Sequence, residues 1–298
     1  MPERKGIMIY TLENERLKVQ VNSRGGELWS VQTKDGHEYL WQGDAAYWQD
    51  RALNLFPYIA RLTDGKYTLD GKTYEMPIHG FLNASELEAE KQTADCLVLK
   101  LSDSEETRKM YPFAFVYRLI YELADNTLHV TFAVENRDSS MMYFGVGGHP
   151  GFMAPLEEGL SFEDYCLQFD GEKNPVRVGF SEDCFVNGED AEFALDNGKL
   201  AFSHKMFDQD AIVLRDMAKA VTLCSEKGTR AVRVSYPQMD YLGIWHMPFT
   251  DAPYVCIEPW HGLPDARTAS GIWEEKPDTV RLAPGESWST GLAMTFAR

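Results

Sequence analysis

The chain has 298 residues, 44% hydrophobic and 25% charged, the balance of an ordinary globular protein with enough apolar surface for a sizeable core and no signature of disorder. Its 46 acidic against 29 basic residues leave a net charge of −17, a field that repels polyanions and argues against nucleic acid as a partner. Five scattered cysteines (Cys96, Cys166, Cys184, Cys224, Cys256) without a C-x-x-C pair read as reduced, mostly buried thiols rather than a zinc or redox centre.

In chain order, residues 1–17 hold only a short apolar run, too short for a signal-peptide core, and no later stretch is long and apolar enough to span a membrane. A cytoplasmic location with no membrane partner is expected. Asn54-Leu55-Phe56-Pro57-Tyr58-Ile59-Ala60-Arg61 ends an apolar segment in a guanidinium, a rigid fork suited to vicinal hydroxyls or a carboxylate, and equally to a surface ion pair. Residues 67–74 read as a hairpin turning on Asp70-Gly71, a pair that accepts positive φ. In Met76-Pro77-Ile78-His79-Gly80-Phe81 the chain turns around a histidine, which suits a packed structural ring or one that projects from a sheet.

Residues 104–110 have a serine cap and room for about two helical turns before Tyr111-Pro112. Over 113–136, apolar residues alternate through Phe113, Phe115, Tyr117, Leu119, Tyr121 and Leu123, then Leu128, Val130, Phe132 and Val134, a long β-hairpin. Gly147-Gly148-His149-Pro150-Gly151-Phe152 surrounds a histidine with glycines, either to let a ligand approach the backbone or as a glycine-rich hairpin. Asp210 opens an apolar strand. In Cys256-Ile257-Glu258-Pro259-Trp260-His261-Gly262 a carboxylate ends an apolar run, where burial is costly without a partner. Pro259 biases Glu258 toward extended backbone, sharing a face with Cys256 and Tyr254, with Trp260 and His261 beside it as lining for a sugar-like ligand. Alternation resumes from Trp288 to Phe296.

Strands without βαβ alternation, repeats or linkers predict a single antiparallel β-sandwich. No histidine pair has zinc-ligand spacing, and no G-x-S-x-G elbow, P-loop or dinucleotide fingerprint is present, so neither metal nor cofactor is expected.

Taken in order, Asn54-Leu55-Phe56-Pro57 with Arg61, Asp64-Gly65-Lys66-Tyr67, His79-Gly80-Phe81, Tyr111-Pro112-Phe113, Gly148-His149-Pro150-Gly151-Phe152 and Glu258-Pro259-Trp260 make the chain resemble the aldose 1-epimerase (mutarotase) family, and more closely its LacX-like branch. The resemblance spans almost the whole chain. It implies an all-β, galactose-mutarotase-like supersandwich of antiparallel strands, one domain over residues 1–298, with a sugar as the small-molecule partner. By position it makes Glu258 the catalytic base, His149 the general acid and His79 a second imidazole. Arg61 and Asp210 match positions that bind sugar hydroxyls, and Trp260 or Trp245 would stack on the sugar. Ala60 departs from the family's glycine before the arginine, and Leu82-Asn83-Ala84 from its more polar sequence after His-Gly-Phe.

The implied reaction opens the pyranose by removing the C1 hydroxyl proton while protonating the ring oxygen, each transfer contributing about 10²–10⁴-fold. It asks for an ionised Glu258 and a protonated His149, each favouring the other's charge. Two alternatives stand beside it. Epimerisation of a hexose 6-phosphate would need an extra cation at the groove mouth, with Arg51 the nearest in sequence. A sugar-binding protein without catalysis would need neither acid nor base.

Overall fold

Alternation of apolar residues builds two large antiparallel sheets in the computed structural model, which describes residues 8–171 and 173–298. Residues 1–7 of the expected domain lie outside the described ones. The predicted hairpin is present as Phe115–Ala124 and Thr127–Asn136, in unbroken register from Thr127↔Ala124 to Asn136↔Phe115. With Ser287–Ala297 on its other side it forms the centre of a nine-stranded sheet. The hairpin Lys66–Leu69 and Lys72–Glu75 turns through Asp70 (φ 48°) and Gly71 (φ 72°). The capped helix is Glu105–Met110, with Ser104 and Thr107 forming a reciprocal capping box. Among the described residues no helix is long and apolar enough to cross a membrane.

The second large sheet has seven strands in the order Ala191–Glu192, Val176–Arg177, Ile212–Arg215, Tyr241–Trp245, Tyr254–His261, Val146–Met153 and Ala52–Leu55. Successive side chains on a strand point to opposite faces. Val255 and Ile257, Leu242 and Ile244, and Ile212 and Leu214 therefore turn inward to a hydrophobic core shared with Tyr117, Phe132 and Leu292 of the nine-stranded sheet. Their alternates Glu258, Trp260, Trp245 and Val213 turn outward and line a groove.

Candidate active site

Three strands of this outer face, Val146–Met153, Tyr241–Trp245 and Tyr254–His261, and the segments that carry Arg61, His79 and Asp210 converge on a groove of about 400 Å³ lined by Arg61, His79, His149, Asp210, Trp245, Glu258 and Trp260, the seven residues placed in the site when the family resemblance is followed. At its floor His149 Nε2 lies 3.2 Å from Glu258 Oε2, with side-chain exposures of 9% and 2%. The sequence makes this contact in an indirect way. Val146–Met153 pairs with Tyr254–His261 through Gly147↔Trp260 and again through Gly151↔Cys256, a register that sets His149 opposite Glu258. Between those points the pairing lapses, where Pro150 and Pro259 have no N–H to give to a ladder. The acid–base candidates thus face each other across a gap in the middle of a sheet.

Small residues fix how the neighbouring rings lie. Gly243 is registered against Glu258, and a Cβ there would stand 2.7 Å from the Trp260 indole and 3.2 Å from Glu258 Cβ, so only glycine leaves room for both. The glycines around His149 serve protein groups rather than a ligand. A Cβ on Gly147 would meet the Pro259 carbonyl and Trp260 at 2.6 Å, and one on Gly151 would meet Trp48 at 3.1 Å. Nor is this segment a hairpin: His149 sits in mid-strand.

His79 is held by a two-way clasp, its backbone N–H donating to the Ala60 carbonyl (2.8 Å) and its ring Nδ1 accepting from Ala60 N–H (3.2 Å). Nδ1 is therefore the unprotonated nitrogen, and Nε2 carries the hydrogen. Both His79 (φ 65°) and Ala60 (φ 54°) are left-handed, which gives the physical reason for a glycine preference at position 60. The His79 and His149 rings meet edge to face at 5.6 Å. Asp210, also left-handed at φ 68°, accepts from Ala211 N–H (2.8 Å) through Oδ1 and from the Cys184 thiol (3.1 Å) through Oδ2. Arg61 Nη1 donates to the Asp183 carbonyl at 3.3 Å.

Burial governs the charges. It lowers the His149 pKa well below the ordinary histidine value, with His79 adding to the effect, and raises that of Glu258 well above the ordinary carboxylate, with Asp210 adding to it. Burial, with Arg61 beside it, brings His79 down to about 4. Desolvation thus opposes the charged form of each partner in the ionised pair that the reaction asks for. The neutral acid with neutral imidazole and the carboxylate with imidazolium hold the same single proton, so the pair titrates as one unit.

Two residues considered beside the site lie outside its lining, one expected there and one left open. His261 does not line the groove; one position on from Trp260, it turns to the other face, with Nδ1 2.6 Å from Asp240 Oδ2 and Nε2 3.3 Å from Thr290 Oγ1. Arg51 is engaged elsewhere, with Nη1 donating to Gln42 Oε1 (2.7 Å) and to the Trp29 carbonyl, and its guanidinium 3.8 Å over the Trp29 ring. Conversely, sequence reasoning missed Trp48, whose ring lies 4.9 Å from His149, and the groove residues Asp50 and Cys184. A Tyr-Trp pair in a polar loop was the one available signal for Trp48. A second cavity of about 470 Å³, beside Lys276 and Asp278, holds none of the expected residues.

An all-antiparallel supersandwich with its groove on the outer face of one sheet has the architecture of the galactose-mutarotase-like proteins. The galactose mutarotase related enzyme from Lactobacillus acidophilus superposes with a TM-score of 0.94 at 35% identity over 97% of both chains. A galactose mutarotase-like protein from Lactobacillus casei ATCC 334 gives 0.91 at 29% identity over 97% of this chain and 100% of that one. The plasmid-borne protein LacX of Lactococcus lactis subsp. lactis is 32% identical over 292 residues, 93% of this chain and 95% of its own length. The family model described as aldose 1-epimerase matches residues 8–295, and the chain belongs to that family, an isomerase family of sugar enzymes.

Proposed function

We propose that this chain interconverts the α and β anomers of a neutral aldohexose, such as galactose or glucose, by acid–base ring opening. The observation that carries the reading is the 3.2 Å contact between His149 Nε2 and Glu258 Oε2 on the groove floor. The C1 hydroxyl and the ring oxygen are bonded to the same carbon, so the two proton transfers need an acid and a base that are themselves neighbours. Glu258 takes the hydroxyl proton as His149 gives one to the ring oxygen; the C1–O5 bond breaks, the aldehyde rotates, and reclosure runs the transfers backward. Over the cycle no net proton is consumed, which suits a pair that holds one proton.

His79, neutral with hydrogen on Nε2, stands beside His149 as a fixed donor to the sugar rather than as a second imidazolium. Arg61 and Asp210 bind hydroxyls, and Trp245 and Trp260 offer aromatic faces to the ring's C–H surface. A neutral sugar is favoured over a hexose 6-phosphate because Arg51, the cation that reading relied on, is committed to Gln42 and Trp29. Anomer-resolved NMR with free and 6-phosphorylated hexoses tests this: accelerated mutarotation of a free aldohexose is expected. A much higher kcat/KM for the phosphate overturns the substrate class, and sugar binding without acceleration overturns the catalysis.

A further inference from the structure

The strand that aims Glu258 also aims a thiol. Cys256 precedes Glu258 by two residues on the same face, and its Sγ, a His149 ring nitrogen and a Glu258 carboxylate oxygen all lie within 4.8 Å of one another, all three residues buried. Imidazole, thiolate and carboxylate are the donor types of zinc sites that keep a fourth position open. With bonds of about 2.0–2.3 Å, tetrahedral ligand atoms stand roughly 3.3–3.7 Å apart, so the cluster closes on an ion with shifts of about an ångström shared among three side chains. A second observation points to a missing ligand. Glu258 Oε1 is buried without a hydrogen-bond partner, a costly state that a cation relieves.

We propose that His149, Cys256 and Glu258 form a three-ligand site for a thiophilic divalent cation of the zinc class, and that filling it switches the acid–base pair off. The inhibitory half rests on the proposed function; the binding half does not. On binding, the Cys256 thiol and the His149–Glu258 pair each release one proton to solvent. Sulfur, nitrogen and oxygen then each donate a lone pair to the ion, and nothing is oxidised or reduced. His149 Nδ1 lacks the carboxylate or carbonyl partner that orients a metal-bound imidazole, a support worth about 10–100-fold in affinity. The site is therefore one that a chelator drains.

The test is titration of the full-length, metal-free protein with Co²⁺, read by near-ultraviolet thiolate-to-cobalt charge-transfer absorption, with Zn²⁺ as competitor. One equivalent of cobalt should raise the band and zinc should abolish it. Cys256→Ala should lack the band and bind zinc at least about tenfold more weakly, whereas Cys184→Ala keeps it. A missing band in the wild type, or an unchanged one in Cys256→Ala, overturns the site. Should Cys256→Ala not fold, zinc K-edge absorption of the wild type decides: one sulfur with nitrogen and oxygen supports the site, and no sulfur sinks it. Anomer-resolved NMR with and without zinc reads the inhibitory half, which falls if the loaded protein stays active. Absence of mutarotation in the metal-free protein, with the cobalt band intact, would sink the proposed function and leave the metal site standing.

Discussion

The two faces of the strand Tyr254–His261 are built to opposite standards. Inward, Val255 and Ile257 are fully buried among other apolar side chains, and every atom there is satisfied by contact alone. Outward, Glu258 and Trp260 are almost as deeply buried, yet Glu258 Oε1 and Trp260 Nε1 have no hydrogen-bond partner. One face lowers the free energy of the fold. The other carries a polar cost that a ligand can offset, and the period-two alternation keeps the two a single residue apart.

Substitutions on alternate residues separate these standards. Glu258→Gln keeps size and polarity but removes the base, and should lower kcat/KM for mutarotation by about 10²–10⁴-fold with sugar affinity by calorimetry largely retained. His149→Asn should do the same. Near wild-type rates in Glu258→Gln would move the base to another carboxylate, Asp210 first. Ile257→Ala should reverse the pattern, costing about 2–5 kcal/mol in urea denaturation while the folded fraction turns over far faster than Glu258→Gln.

The same comparison has a pH dependence. Because burial raises the Glu258 pKa well above the ordinary carboxylate value, the unfolded chain loses that proton first as pH rises. Between the unfolded and folded pKa values the unfolded state binds fewer protons, so wild-type stability falls across that window. Glu258→Gln lacks this loss. Urea denaturation at about pH 5 and about pH 9 should show the variant's relative stability growing with pH; a constant difference would mean that the carboxylate is ionised throughout.

Smaller effects belong to the groove rim. His79→Ala should slow mutarotation by about tenfold, the worth of one hydrogen bond, since His79 offers its Nε2–H to the sugar beside His149. Ala60→Gly relieves a left-handed alanine and should leave activity unchanged, with a stability gain of no more than about 1 kcal/mol because glycine also loosens the unfolded chain. A large loss of stability there would mean that the alanine methyl packs more than its φ costs.

Much of this was legible in the sequence, for definable reasons. The hairpin over Phe115–Ala124 and Thr127–Asn136, the Asp70-Gly71 turn and the Ser104 cap are local patterns, and local patterns survive into the fold. Glu258 announced itself as a carboxylate in an apolar run, and His149 by its glycines, although those glycines proved to seat Trp260 and Trp48. What could not be read was direction and burial in three dimensions. His261 looked like a neighbour of Glu258 but has the wrong parity along the strand. Arg51 is near the groove in sequence and spent on Trp29 and Gln42 in space. The protonation of His149 and Glu258 depends on exclusion of water by both strands at once, which neither segment encodes alone. Trp48 and Cys184 reach the groove from irregular loops, where no periodicity points.

Pro150 and Pro259 have a consequence for anyone who would redesign this protein. Neither side chain lines the groove, so a survey of lining residues would leave both free to vary. Yet a residue with an N–H at either position offers the sheet a donor where it now has none, and the strands can then zip through the stretch that His149 and Glu258 keep open. Such a variant would be selected by any screen for thermal tolerance and discarded by any screen for turnover, which makes these two positions the place where the two screens should disagree most.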